Sequence, residues 1–171
     1  MSAIALNEAG VMLRPSRRDE VVRRRAAEMA LREVKAWIGD MEGESDASLI
    51  ETLMTVMGGH DGFAIAKDLD DKGWNADAEL VELMDRGFVQ NAEREMVKQW
   101  VQCLGVKPQY AVGDTVTMLR GYNGHNRGVI IEIREDEATY GIHTPDQKET
   151  QRWIIKFEDV AALAKDAVSL A

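Results

Sequence analysis

The sequence predicts an α+β chain in which a helical bundle over residues 16–104 precedes a small, strongly bent β-barrel over residues 110–160. Three observations carry that reading. Apolar residues recur at three- and four-residue spacing through the first part, broken by short stretches rich in Gly, Asp and Asn. Gly105-Val106-Lys107-Pro108 then ends the last helix, because the residue before a proline is pushed out of the helical region. Beyond it, four short β-rich runs alternate with turn residues, which suits a small curled barrel better than two packed sheets. Residues 1–15 read as a loose arm, 105–109 as a linker and 161–171 as a C-terminal helix or tail.

Each helix has its own signals. Ser16 and Asp19 have capping-box spacing, so the first helix is expected to open there. On a wheel of about 100° per residue, Ala26, Ala27, Ala30, Leu31, Val34, Trp37 and Ile38 share one arc, expected to face the core. Arg17, Arg18, Arg24, Arg25, Arg32 and Lys35 fall on the opposite side, with Glu28 among them. Residues 39–44 break the pattern. Ser45 or Asp46 caps a second helix packed by Leu49, Ile50, Leu53, Met54 and Met57, which Gly58-Gly59 ends. Phe63, Ile65, Ala66 and Leu69 make a third, stopped near Lys72-Gly73. Asn75 is expected to cap a fourth, where Asp77 and Glu79 suit the helix dipole and Leu80, Val81, Leu83 and Met84 pack. After Gly87, a fifth helix carries Phe88, Val89, Ala92, Met96, Val97, Trp100 and Leu104 as an apolar stripe.

Composition bounds the function classes. The chain has 171 residues, with 30 acidic against 21 Lys+Arg side chains, so its formal charge is -9. Its 45% hydrophobic content is ordinary for a globular protein and argues against wholesale disorder. With no apolar run of about 18 residues, no membrane span and no membrane partner are expected. No secretory leader is read at the N-terminus, and the single Cys103 makes no internal disulfide, so a cytoplasmic location is expected. Charge is uneven: residues 1–35 net +3, residues 36–108 net -9 and residues 109–171 net -3. A basic head before an acidic middle has two readings. The head contacts phosphates, or it lies on the chain's own acidic segment.

The chemistry-bearing residues are scattered. His60, His125, His143 and Cys103 lack metal-ligand spacing, and Cys103 falls near the apolar side of the fifth helix, where a buried thiol is expected. Asp68, Asp70, Gly73 and Glu79 occupy EF-hand positions 1, 3, 6 and 12, but Lys72 puts a cation at position 5, so no calcium site is expected. No nucleophile elbow, phosphate-cradling loop or dinucleotide fingerprint occurs. Neither catalysis nor a cofactor nor a metal is expected.

The stretch Gly113-Asp114-Thr-Val-Thr-Met-Leu-Arg-Gly121-Tyr-Asn-Gly124-His-Asn-Arg-Gly128-Val-Ile-Ile-Glu-Ile resembles a KOW motif, found in SH3-like barrels of ribosomal proteins and transcription elongation factors. The resemblance implies an SH3-like barrel whose inter-strand loop touches RNA or protein. Carried onto this chain, it makes Arg120, Tyr122, Asn123, His125, Asn126 and Arg127 candidate contacts, with no lysine among them. Tyr140 and Trp153 are further barrel candidates. The order of bundle and barrel also resembles small proteins of tailed phages and prophages.

The expected function is therefore non-catalytic binding or regulation through protein contacts. Two rivals stand beside it. A nucleic-acid binder would grip phosphates with the stripe from Arg17 to Lys35, and an acidic decoy would offer segment 36–108 to a basic nucleic-acid-binding protein.

Overall fold

Helix α1 (Glu20–Ile38) forms where small and aliphatic residues line one side and long charged residues of good helix propensity cover the other. Its Val22, Ala26, Ala27, Ala30, Leu31 and Val34 are buried. The helix opens three residues later than the capping-box reading, with Asp19 as N-cap. Asp19 still reaches back: its carboxylate accepts the Ser16 backbone N–H at 2.9 Å and the Ser16 hydroxyl at 3.3 Å. The pair closes a turn ahead of the helix instead of its first turn, since the Asp19 N–H donates to the Ser16 carbonyl at 3.0 Å.

The computed structural model describes residues 13–39, 43–58, 61–122, 125–145, 147–148 and 151–162, with the backbone alone for Ile38, Tyr122 and His125. Most of the expected arm, Gly59, His60, Asn123, Gly124 and residues 163–171 of the expected closing helix lie outside the described residues. The chain divides into two units, residues 1–100 and 101–171.

In the first unit, α2 (Asp46–Val56) is capped by Ser45, whose hydroxyl accepts the Ser48 N–H at 3.3 Å. α3 (Gly62–Asp70) is capped by Asp61 through Ala64 N–H at 2.8 Å. α4 (Ala78–Met84) is capped by Asp77, not Asn75, through Leu80 N–H at 2.9 Å. Both residues are good caps, and the one directly before the apolar run wins. α5 spans Phe88–Leu104. One core joins Leu49, Leu53, Leu69, Trp74, Leu80, Phe88 and Met96 with the buried face of α1. Asp68 and Asp70 lie inside α3 rather than in a loop.

Four residues read as core-facing are not. Phe63 is 69% exposed because it sits two positions from Ile65, on the opposite side of α3 from the buried stripe. Trp37 is partly exposed, its indole N–H donating to Glu79 at 2.5 Å, so the ring lies along the surface with its polar edge satisfied. Leu104 and Cys103 are exposed because α5 outruns the core: Gln102 is exposed beside them. Cys103 is therefore a surface thiol rather than a buried one.

The second unit is a five-stranded antiparallel sheet of β1 (Thr115–Tyr122), β2 (His125–Arg134), β3 (Thr139–His143), β4 (Trp153–Lys156) and β5 (Val160–Ala162). The strand order is β4-β3-β2-β1-β5, an open sheet with β4 and β5 as edges among the described residues. Short 3-10 turns at Glu135–Glu137 and Phe157–Asp159 join β2 to β3 and β4 to β5. Ala161 and Ala162, expected in a closing helix, instead pair with Thr117 and Val116. The hydrogen-bonding edge of β1 and the burial of Val160 override the local helix propensity. Val116, Met118, Ile130, Tyr140, Ile142, Ile155 and Phe157 fill the inner side.

Candidate binding surfaces

The β1–β2 hairpin is built by glycines used for different reasons. Gly113 adopts φ +95°, a conformation only glycine takes without strain, and its N–H donates to the Ile130 carbonyl at 2.8 Å. The Asp114 carbonyl accepts Ile130 N–H at 3.0 Å, and its carboxylate accepts Ala111 N–H at 2.8 Å. Gly-Asp thus locks the entry to β1 onto β2. Gly128 is needed for space: a Cβ there would overlap Ile142 Cγ2 and lie 2.7 Å from the His143 carbonyl oxygen. β2 and β3 close on one another at that point.

The candidate contacts spread differently from the sequence reading. Arg120 is 80% exposed, with Asp159 at 3.8 Å, and Asn126 and Arg127 are exposed. Tyr122 and His125 are described by their backbone alone, and Asn123 lies outside the described residues. Trp153 is partly buried. Tyr140 is fully buried and unavailable as a surface contact. Its ring lies 4.4 Å from Phe157 and 6.2 Å from Tyr110, centroid to centroid. Its hydroxyl accepts the backbone N–H groups of Gln109 (2.9 Å) and Tyr110 (3.1 Å), tying the expected linker to the sheet.

The outer side of this sheet carries residues that sequence reasoning did not single out. Leu119 (61% exposed), Val129 (39%), Ile131 (43%) and Ile154 (44%) stand out to solvent. Thr115 pairs with Val129, and Val129 with His143, which places Val129 centrally among β1, β2 and β3. The pairing shifts between Ile130 and Glu132, a bulge beside Ile131, which strand alternation places on the same outer side as Val129. Beside them Glu132 accepts Arg134 Nε at 2.8 Å and faces Arg152 Nε at 2.8 Å across Gly141. The Arg134 hydrogen bond holds the Glu132 carboxyl below the usual carboxylate range and raises the Arg134 guanidinium in turn. The signal for the apolar face was present: Val129-Ile130-Ile131 and Trp153-Ile154-Ile155 are unbroken apolar runs, which put aliphatic residues on both sides of a strand.

The basic stripe of the first unit is largely occupied. Arg17 pairs with Glu93 (2.8 Å), Arg24 with Glu51 (2.7 Å), Arg25 with Glu95 (2.9 Å) and Lys35 with Asp46 (2.6 Å). The hydrogen bonds they donate to Glu51 and Glu95 raise the Arg24 and Arg25 guanidiniums above their ordinary values. Of the two readings of the basic head, the geometry follows the one in which it lies on the chain's own acidic segment. Arg18 and Arg32 are exposed, with no acid partner among the described residues.

The described residues of this unit line at least two cavities. One, about 420 Å³, is lined by Trp37, Leu83, Glu33, Glu79, Glu82 and Arg86, where Arg86 pairs with Glu33 at 2.9 Å. The other, about 460 Å³, is lined by Arg17, Arg18, Arg23, Met57, Gly58, Val89 and Gln90. Compared with protein-family models, with curated proteins and with solved structures, the chain matches none.

Proposed function

We propose that this chain is a non-catalytic binding protein that docks onto a protein partner through the outer face of its C-terminal sheet. The observation that carries the reading is the exposure of Leu119, Val129, Ile131 and Ile154 on a face rimmed by Arg127 and the Glu132–Arg152 pair. An apolar centre inside a charged rim is the composition of a protein interface. The ion pairs of the basic stripe support the same choice over nucleic acid, because a guanidinium already held by a carboxylate has less to offer a phosphate.

We read the sheet as an SH3-like barrel of the KOW type. Support comes from the pairing of the fifth strand with the first, from the 3-10 turn between β4 and β5, and from the places of Gly113, Asp114 and Gly128.

The test is a pull-down from the native host with wild type, L119D and I154D, each with and without nuclease. Both substitutions fall on exposed side chains, so the fold should survive them. A protein captured by wild type in the presence of nuclease, and lost in both variants, is the expected result. Capture that disappears with nuclease would overturn the proposal in favour of nucleic acid. Capture indifferent to both substitutions would move the site off the sheet.

A further inference from the structure

We propose that the arginine-lined cavity of the first unit binds a phosphate monoester carried on a small organic group, such as a mononucleotide. The site does not depend on the docking face, which belongs to the other unit. Arg17 and Arg18 reach it from the turn before α1, Arg23 from the second turn of α1, Met57 and Gly58 from the end of α2, and Val89 and Gln90 from the start of α5. One short segment, residues 17–23, thus brings three arginines to a concavity that the end of α2 and the start of α5 complete, with no carboxylate among the described residues of its wall.

The charge balance selects the ligand. Arg17 is compensated by Glu93 at 2.8 Å. Arg18 and Arg23 have no acid partner among the described residues. Two uncompensated guanidiniums match a phosphate monoester, which carries close to two negative charges at neutral pH. The planar fork of arginine also suits phosphate oxygens, which it meets with two parallel hydrogen bonds.

Arg23 supplies an observation independent of charge. Its Nε is buried and donates to nothing among the described residues. A buried donor without an acceptor is unfavourable, and a turn of the guanidinium toward the cavity would let a ligand oxygen satisfy it. The space is also larger than a bare phosphate needs. At about 460 Å³ it falls in the range of small-ligand pockets, with Met57 and Val89 as an apolar wall and the Gln90 amide as a polar contact. A concave wall favours a terminal phosphate over a continuous nucleic-acid backbone.

Calorimetric titration of the full chain at low salt with inorganic phosphate, adenosine 5′-monophosphate, adenosine and a 5′-phosphorylated oligonucleotide tests this. The expected result is saturable binding of the monophosphate, weaker binding of inorganic phosphate and none of adenosine. Arg18 is exposed, so R18Q should melt like wild type while losing roughly tenfold or more in affinity for the monophosphate. R23K keeps the charge and tests the fork, with a similar loss expected. Absence of binding by the monophosphate, equal affinity of wild type and R18Q, or binding of the oligonucleotide alone would overturn the proposal.

Discussion

The Tyr140 hydroxyl gives the sharpest test of how the second unit holds together. Substituting Tyr140→Phe removes a single oxygen from a fully buried ring and leaves the contacts with Phe157 and Tyr110 in place. What is lost is the acceptor shared by the Gln109 and Tyr110 N–H groups, at 2.9 and 3.1 Å. At a net 0.5–1.5 kcal/mol per hydrogen bond, the pair is worth about 1–3 kcal/mol. Gln109 is exposed, so water satisfies its amide once the segment detaches, and the lower half of that range is expected. In a cooperative unit of this size each kcal/mol lowers the midpoint by about 4–8 °C. Thermal and urea unfolding of the full chain measure the loss, and hydrogen exchange locates it: Gln109 and Tyr110 amides should exchange faster, while Ile130 and Ile142 keep their protection relative to global stability. A variant within 0.5 kcal/mol of wild type, with unchanged exchange at residues 109 and 110, would refute the view that this hydroxyl fastens the connecting segment to the sheet.

Three further outcomes follow from the geometry. Gly128→Ala should destabilise the sheet by about 1–3 kcal/mol in urea unfolding, because the added Cβ meets the His143 backbone oxygen as well as the Ile142 side chain, and a backbone atom has little room to yield. The Glu132 carboxyl, held down by Arg134, should stay charged below the usual glutamate value of about 4.3. Its contribution is complete above that value and is lost as pH falls through the depressed one, so a side-chain NMR titration should show a lowered midpoint that R134Q returns toward normal. Cys103 should react with a thiol reagent in the native chain as fast as in denaturant, because it is exposed; a large protection factor would contradict its placement.

How much of this was legible in the sequence depends on what each residue is decided by. Helix existence was read correctly because alternation of aliphatic and charged residues at helical spacing is a local property. Which of two adjacent cap formers acts was not, as Asn75 and Asp77 show, since the choice depends on where the apolar run meets its neighbours. Trp37 and Leu104 share the angular position of core residues, but angle does not say how far along a helix the core extends. Ala161 and Ala162 read as helix formers, yet β1 offers them an edge from more than forty positions away. Tyr140 reads as a barrel aromatic that either packs the wall or makes a contact, and only the fold brings Gln109 and Tyr110 to its hydroxyl. The cavity with Arg17, Arg18 and Arg23 was invisible for the same reason: the stripe was seen, but not what α2 and α5 place against its end.

The stripe itself leads to the last prediction. A net charge of -9 does not by itself keep a chain off nucleic acid, because binding responds to local cations. Here the local cations are present but engaged: Arg17, Arg24 and Arg25 each face a carboxylate from α5 or α2 within hydrogen-bonding distance. Exposed pairs of this kind contribute little to stability, so E51Q/E93Q/E95Q should fold and melt close to wild type. The same change moves the chain to a net charge of -6, frees Arg17 in the turn before α1, and leaves Arg24 and Arg25 on α1 with only the longer contacts to Glu20 at 3.7 Å and Glu28 at 3.5 Å. If pairing is what silences the stripe, wild type should pass a heparin or DNA column at low salt while the triple variant is retained. Retention should fall with salt at a slope of about 0.9 per contact made, from about 1 for Arg17 alone up to about 3 where Arg24 and Arg25 also leave Glu20 and Glu28 for phosphate. A triple variant that flows through like wild type would show that the spacing of these arginines, and not their acid partners, disqualifies them. Wild type that is itself retained would show that the pairs open readily for phosphate, and would return the basic helix to contention as a nucleic-acid surface.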